Sequence, residues 1–177
     1  MEKKIKSSTI YEGKIIKVEL DEVELENHQT AYREIVRHNG GVGILAMIEN
    51  KILLVKQYRY AQNDYTLEIP AGKIEIGEDP YETGMREIEE ETGYHAKSLT
   101  LFSKALPTPG YCTEVLYLYE ANGLEKATNP LACDEDEFID VYLMDINEAY
   151  QKVINMEIKD AKTIIAIMYA YNRLNIK

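Results

Sequence analysis

Residues 72–94 read GKIEIGEDPYETGMREIEEETGY, and this stretch contains the signals for one complete helix. Asp79 is a residue type that caps helix N-termini, and Pro80 suits the first helical position because its missing N–H would have no partner there. Gly93 can take the left-handed backbone conformation that commonly ends a helix. The stretch therefore predicts a helix that begins at Pro80 and ends just before Gly93.

Three glutamates of this helix share one patch of its surface. Glu87, Glu90 and Glu91 stand at positions i, i+3 and i+4, which are neighbours on a helix. Like charges this close repel, so each carboxyl favours its protonated form unless a cation is present. Hard divalent metals prefer carboxylate oxygens, and metals held in this way commonly serve phosphate chemistry. The spacing predicts a divalent metal site, with Arg86 placed to tie the acidic face together.

A solvated acidic face is the alternative interpretation, because most acidic runs on helices simply face water. The residues around the run argue against it. An upstream glycine, a loop acid, an Arg-Glu pair and a terminal glycine all fall at fixed offsets. Agreement at so many positions is much more specific than a lone glycine-rich triplet. We interpret four of these residues as structural parts of the motif: Gly72, Glu78, Arg86 and Gly93.

The stretch from Gly72 to Tyr94 resembles the signature of the Nudix hydrolases, which cleave a nucleoside diphosphate linked to another group. The match is complete at the glycines and the charged positions, and only Tyr94, where an aliphatic residue is commoner, departs from it. The resemblance implies Mg²⁺, with Mn²⁺ as a second possibility. The implied metal ligands are the backbone carbonyl of Ala71 and the side chains of Glu87, Glu90 and Glu91.

Length and composition agree with a small cytoplasmic enzyme. A chain of 177 residues that is 45% hydrophobic can bury one core with a minor appendage. The formal charge of −11 argues against nucleic acid and anionic membranes as partners, since both bind basic surfaces. Cys112 and Cys133 are too few for a disulfide framework, which favours a reducing compartment. The N-terminus lacks an apolar signal core, and no segment approaches the length of a membrane span.

The remaining chain alternates short apolar runs with turn residues. Residues 7–26 predict one antiparallel hairpin or two, with a turn near Glu12-Gly13. Further strands are predicted over 32–38, 42–48, 52–57, 65–69, 99–105, 113–120 and 137–144, and further helices over 146–154 and 160–174. The runs 42–48 and 52–57 are predicted to form a hairpin around residues 49–51.

We predict an α/β fold, namely a Nudix-type three-layer α/β/α sandwich around a mixed β-sheet, preceded by a small antiparallel β appendage. The predicted domains are the appendage, residues 1–38, and the hydrolase domain, residues 39–177. The appendage alternates too regularly for disorder and is too small for a core of its own. It is therefore predicted to form a dimer by packing on a second subunit.

Sequence outside the signature resembles the ADP-ribose pyrophosphatase branch of the family. The similar segments are VKQYRYAQNDYTLEIPAGKIEIGEDP at 55–80, TPGYCTE at 108–114 and DEDEFIDV at 134–141. A proline sixteen residues beyond the last glycine of the signature marks this branch, and Pro109 follows Gly93 by that interval. The resemblance implies hydrolysis of ADP-ribose to AMP and ribose 5-phosphate by a homodimer with exchanged N-terminal β segments.

Two other functional hypotheses stay open at this point. The first is a Nudix pyrophosphatase that acts on another nucleotide-sugar or on a damaged nucleoside triphosphate. The second is a non-catalytic nucleotide sensor, which would be expected to have lost the carboxylates of the helix. The presence of Glu87, Glu90 and Glu91 argues against the sensor.

Several residues outside the helix are candidate substrate contacts. Arg59 resembles the phosphate-contacting arginine of the family, although an ordinary arginine at the end of a surface strand is an equal alternative. Arg37 is a weaker candidate of the same kind. Glu68 immediately precedes the metal-binding turn and is predicted to hold the metal through water or to bind a substrate hydroxyl. Pro109 and Gly110 are predicted to lie in the substrate-binding loop.

The general base is predicted on an acidic loop. The resemblance to the ADP-ribose branch implies that the base is a glutamate on a loop before a late strand. In this sequence that loop corresponds to residues 134–137. Alignment on the FIDV segment favours Glu137, and then Glu135. In the wider family a glutamate of the signature can serve instead, which makes Glu91 a third candidate. A solvated acidic turn is the alternative interpretation of the loop.

Overall fold

The computed structural model describes residues 1–129, 131 and 138–175. The chain divides into two compact units, one formed by residues 1–40 with 106–115 and the other by residues 41–105 with 116–177. Among the helices of the described residues, none has the length and apolar character needed to cross a membrane.

The first unit is built on a three-stranded antiparallel sheet. Its strands are β1 (Lys3–Glu12), β2 (Lys17–Glu24) and β3 (Thr30–Arg37), in the order β1-β2-β3. The predicted hairpin is present, with its turn where Gly13 N–H donates to Ile16 O at 3.0 Å. The segment 106–115 joins this sheet, since Val36 N–H donates to Tyr111 O at 2.8 Å and Thr113 N–H donates to Val36 O at 2.9 Å. The sequence did not indicate this grouping, because the partners are about 75 residues apart.

The second unit contains the remaining strands and all the α-helices of the described chain. Its strands are β4 (Gly41–Leu45), β5 (Met47–Ile48), β6 (Lys51–Arg59), β7 (Asp64–Glu68), β8 (Ala71–Lys73), β9 (Tyr94–His95), β10 (Ser98–Ala105), β11 (Leu116–Asn122), β12 (Glu125–Lys126) and β13 (Asp140–Asp145). Its helices are α1 (Pro80–Thr92), α2 (Ile146–Ile154) and α3 (Ala161–Asn175). A single 3-10 turn, Tyr60–Gln62, connects β6 to β7.

The sheets of this unit are mixed. One has the order β10-β11-β4-β8, in which β11 and β4 run parallel and the other pairs are antiparallel. The other has the order β13-β6-β5, and β7 also pairs with β6. β9 and β12 form a separate two-stranded pair.

Helices cover both faces of these strands. Along β4, Ile44 belongs to the core on the α1 side, whereas Leu45 belongs to the core that α2 and α3 cover. Along β6, Leu53 and Leu54 alternate in the same way, because successive side chains of a strand point to opposite faces. Strands buried on both faces read as continuous apolar runs, as these two do. The predicted three-layer α/β/α sandwich is confirmed.

The apolar run 42–48 is two strands, where the sequence predicted one. β4 ends at Leu45 in one sheet, and β5 begins at Met47 in the other. Ala46 lies between them, fully buried, and its carbonyl accepts from Leu53 N–H at 2.9 Å. The predicted hairpin is therefore β5–β6. Continuous hydrophobicity does not reveal such a change of sheet, because it reports burial and carries no information about partner strands.

Candidate active site

α1 forms where the local signals predicted it. Asp79 Oδ1 accepts from Tyr81 N–H at 2.8 Å, which caps the N-terminus. Gly93 ends the helix with φ of 70°, and its N–H donates to Glu89 O at 2.9 Å. Gly84 allows the helix to approach β10 closely, because a Cβ at this position would lie 2.7 Å from Leu99 Cδ1. The predicted helix boundaries are confirmed.

Two of the three predicted ligands lie directly on the backbone of β8. Glu91 Oε2 accepts from Ala71 N–H at 2.9 Å, and the Glu91 side chain is almost completely buried. Glu87 lies over Gly72, so close that a Cβ there would be 1.9 Å from Glu87 Oε1. β8 is itself anchored, because Gly72 pairs with Val42 of β4. The tertiary structure thus brings two carboxylates of one helix face to a single short strand.

Arg86 holds the rest of the acidic face. Its Nη1 lies 2.9 Å from Glu87 Oε1 and 2.6 Å from Glu90 Oε2, and its Nε lies 3.4 Å from Glu78 Oε1. Burial alone would lower the pKa of the Arg86 guanidinium, but the charge of Glu87 and the hydrogen bonds to Glu90 and Glu78 hold that pKa above its ordinary value. Arg86 therefore stays charged and gathers Glu78, Glu87 and Glu90 around one cation.

The donor set fits a hard divalent cation. Its side-chain donors are carboxylate oxygens, and the missing side chain of Gly72 leaves the space that Glu87 occupies. Within the described ranges, no three acidic, histidine or cysteine side chains already stand in an arrangement that would hold an ion. In this structure the carboxylates of Glu87 and Glu90 are paired with Arg86.

Arg59 and Glu68 form a second charged group next to this turn. Arg59 Nε and Nη2 each donate to one oxygen of Glu68 at 2.7 Å, which is a bidentate pair. Thr66 Oγ1 donates to Glu68 Oε1 at 2.5 Å, and Lys162 Nζ donates to Glu68 Oε2. All four acceptor positions of this buried carboxylate thus meet donors from the protein.

The charged neighbours shift the pKa values of both groups. Burial alone would raise the pKa of Glu68, but the hydrogen bonds from Arg59 and the charge of Lys162 outweigh it and lower this pKa to about 2. The hydrogen bonds to Glu68 raise the pKa of Arg59 against the opposing effect of burial, and the charges of Asp160 and Glu91 raise it further.

A cavity of about 580 Å³ lies beside the Arg59–Glu68 pair. One wall is the β6–β7 hairpin, and the other is the segment 157–161 that leads into α3. The glutamates of α1 do not line this cavity. Arg59 and Glu68 are therefore the predicted site residues that line a ligand-sized cavity.

Other predicted site residues belong to the first unit or lie outside the described chain. Arg37, Pro109 and Gly110 belong to the first unit, where Arg37 Nε donates to Glu19 Oε2 at 2.8 Å. Glu135 and Glu137, together with Cys133, lie outside the residues that the structure describes.

Three residues of the charged network were not predicted from the sequence: Asp160, Lys162 and Thr163. A usable signal was present, because Lys162, Ala166 and Ala170 follow at intervals of four on one face of α3, and all three are buried. A lysine on the apolar face of a helix needs a charged partner. The identity of that partner, Glu68, was not readable from the sequence.

Substitution of Gly72 by alanine tests the contact with Glu87. The new Cβ would meet Cγ, Cδ and Oε1 of Glu87, so the whole carboxylate must move. We expect the affinity for Mn²⁺ to fall about tenfold or more, as is typical when a group that supports a metal site is displaced. A metal titration of the variant, with circular dichroism as the control for folding, measures this. An unchanged metal affinity would contradict the assignment of Glu87.

Comparison with known proteins identifies similar chains and a similar fold. The model of the NUDIX domain matches residues 37–166. The chain is 46% identical over 169 residues to the methanol dehydrogenase activator of Bacillus methanolicus, covering 95% of this chain and 91% of that protein. It is 42% identical over 169 residues to the ADP-ribose pyrophosphatase of Bacillus subtilis, with the same coverage of 95% and 91%. The crystal structure of an ADP compounds hydrolase matches with a TM-score of 0.86 at 22% identity, over 98% of this chain and 94% of that one.

Proposed function

Since this chain belongs to the Nudix hydrolase family, we propose that it hydrolyses the diphosphate bond of ADP-ribose to give AMP and ribose 5-phosphate. The observation that carries the chemistry is the placement of Glu87 and Glu91 on the backbone of Ala71 and Gly72. The similarity to an ADP-ribose pyrophosphatase at 42% identity supports the choice of substrate.

Mg²⁺ is the proposed cofactor, with Mn²⁺ as a substitute. The residues that would hold it are the backbone carbonyl of Ala71 and the carboxylates of Glu87, Glu90 and Glu91. When bound, such a cation supplies neutralisation of the diphosphate charge and activation of water. Arg86 has a positioning role, because it gathers two of these carboxylates around its guanidinium.

Arg59 is proposed to bind oxygens of the diphosphate. Of its five N–H donors, Glu68 takes two, and the other three point away from that carboxylate. Glu68 is proposed to hold Arg59, a role that replaces the predicted contact with metal or substrate, since protein donors fill its acceptor positions. The proposed general base is Glu137, followed by Glu135, in the acidic sequence that precedes β13.

A substrate panel in Mg²⁺ with identification of products tests the proposed function. ADP-ribose is expected to give the highest kcat/KM, with AMP and ribose 5-phosphate as products. A higher kcat/KM for another nucleotide-sugar or for 8-oxo nucleotides would contradict ADP-ribose as the substrate and support the alternative pyrophosphatase activity. Tight binding without turnover would identify a nucleotide sensor.

A homodimer through the N-terminal sheet is proposed as the working assembly. β1 is the edge strand of its sheet and is exposed along its whole length. Large apolar side chains of this sheet are also exposed, with Ile5 at 56%, Ile10 at 65% and Tyr32 at 63%. Open strand edges and exposed apolar side chains are features that a second chain can cover. Exchange of these strands between two copies would cover them.

Removal of residues 1–32 tests this assembly. The shortened protein is expected to sediment as a monomer and to lose activity, because it lacks the proposed interface. The full-length protein at the same concentration is the control. A monomer with full activity would refute the exchange of N-terminal strands.

A second candidate function rests on a different relative. The similarity to a methanol dehydrogenase activator reaches 46% identity over most of both chains. We therefore propose as an alternative that this protein raises the activity of a methanol dehydrogenase. Addition of wild-type protein to such a dehydrogenase tests this, with the Glu91→Gln variant as the control that separates hydrolysis from binding. The cytoplasm is the proposed location for either function, since both fit the reducing compartment that the low cysteine content favours.

A further inference from the structure

Lys162 is a buried lysine near the start of α3. Its side chain lies over β4, where a Cβ at Gly43 would be 3.5 Å from Lys162 Cδ, and the residue is only 8% exposed. Lysine is almost never this buried unless its charge is paired. Its Nζ donates to Glu68 Oε2 and, at 3.0 Å, to Asp160 Oδ1. The ammonium is thus satisfied by two carboxylates from different elements.

Asp160 and Thr163 fix the start of α3 at the same place. Asp160 Oδ2 accepts from Thr163 N–H at 3.0 Å and from Thr163 Oγ1 at 2.6 Å, as a helix N-cap does. Thr163 Oγ1 in turn accepts from Ile69 N–H at 2.8 Å. The first turn of α3 is therefore bonded to Glu68 through Lys162 and to Ile69 through Thr163. These two contacts hold the first turn of α3, and with it the Lys162 ammonium, next to Glu68.

Glu68 is the link between Lys162 and Arg59. Its Oε2 is shared by the two cations, since it accepts from Lys162 Nζ and from Arg59 Nη2. Loss of Lys162 would leave a buried carboxylate with one cation fewer, which is costly in a place with little water. Arg59 is half-exposed, which leaves its guanidinium room to turn over the uncovered oxygen. The N–H donors of Arg59 would then be redirected.

We propose that Lys162 is a positioning residue that orients the Arg59 guanidinium towards the substrate diphosphate by holding Glu68. The inference rests on the proposed function, because it assumes that Arg59 binds phosphate oxygens. Lys162 itself does not line the cavity beside the Arg59–Glu68 pair. Its effect is transmitted through the single carboxylate that both cations share.

Kinetics of three Lys162 variants test the proposal. Lys162→Met keeps the length of the side chain and removes the charge, Lys162→Arg keeps the charge, and Lys162→Gln offers a neutral donor if the methionine variant does not fold. We expect KM to rise about tenfold or more in Lys162→Met with kcat changed by less than about threefold, because Arg59 contacts the phosphates in both the ground state and the transition state. Lys162→Arg should restore most of the loss.

A double-mutant cycle separates positioning from a purely structural role. In the Arg59→Lys background the planar fork that Glu68 orients is absent. Lys162→Met should then change KM by less than about twofold, since coupled residues give non-additive effects. Equal loss in both backgrounds, or an unchanged KM in the single variant, would overturn the proposal.

The design keeps failure of this proposal distinct from failure of the proposed function. The wild-type protein is measured first, and the cycle uses the best substrate of the panel whether or not that is ADP-ribose. Lys97→Met is the matched control, since Lys97 is an exposed lysine paired with Glu125 on the surface. It should leave KM unchanged. If it raises KM as much as Lys162→Met does, the charge of the whole protein is responsible and the proposal fails.

Discussion

Glu91→Gln is expected to abolish metal-dependent turnover while the protein stays folded. The amide oxygen of glutamine can still accept from Ala71 N–H, the contact that Glu91 makes at 2.9 Å. The variant lacks the negative charge that the proposed cation requires. Loss of about 3 kcal/mol of charge stabilisation in the transition state corresponds to a fall of about a hundredfold or more in kcat. Steady-state kinetics in Mg²⁺ and a Mn²⁺ titration measure the two effects.

Glu89→Gln is the matched control on the same helix. Glu89 pairs with His95, whose Nδ1 lies 3.0 Å from Glu89 Oε2, and it is not a proposed ligand. This variant should keep the wild-type rate and metal affinity. A Glu91→Gln enzyme with more than about a tenth of the wild-type rate would remove Glu91 from the metal site, since a ligand contributes far more than that to the rate.

Glu137→Gln is expected to lower kcat strongly with little change in metal affinity. A general base contributes about 10²- to 10⁴-fold to a rate, and glutamine cannot take a proton at neutral pH. Metal affinity should be kept, because the proposed ligands are on α1 and β8. The pH profile of kcat should lose its acidic limb in this variant, which a merely structural residue would not change.

Glu135→Gln is the comparison that tests the register of the loop. If Glu137 is the base, Glu135→Gln should keep most of the activity. The opposite pattern would place the base at Glu135 and show that the alignment on residues 138–141 is shifted. A full rate in both variants would move the base to the signature itself, where Glu91 is the remaining candidate.

The helix of the site could be predicted because its determinants are local. Asp79 and Pro80 start α1, and Gly93 ends it, within one short stretch of sequence. The spacing of Glu87, Glu90 and Glu91 follows from 3.6 residues per turn. The contact between Arg86 and Glu90, four residues apart, is likewise a property of any helix with this sequence.

The support of the site could not be predicted, because it depends on distant parts of the chain. Gly72 is a residue of the signature, but only the packing of Glu87 of α1 over β8 shows why there is no room for a side chain there. Glu68 meets Lys162 across 94 positions of the sequence. No periodicity or motif encodes such a pairing, since it is determined by how α3 packs on the sheet.

The sequence by itself determined the acidic helix, the residue types on its face and the class of chemistry that they serve. Helix caps and contacts between residues one turn apart involve only residues close in sequence. The local sequence is therefore enough to determine them. Only the tertiary structure decided that Glu68 is committed to Arg59 and Lys162, and that Glu91 rests on Ala71. Those contacts exist because strands from separate parts of the chain and the helices that cover them must bury their apolar faces together.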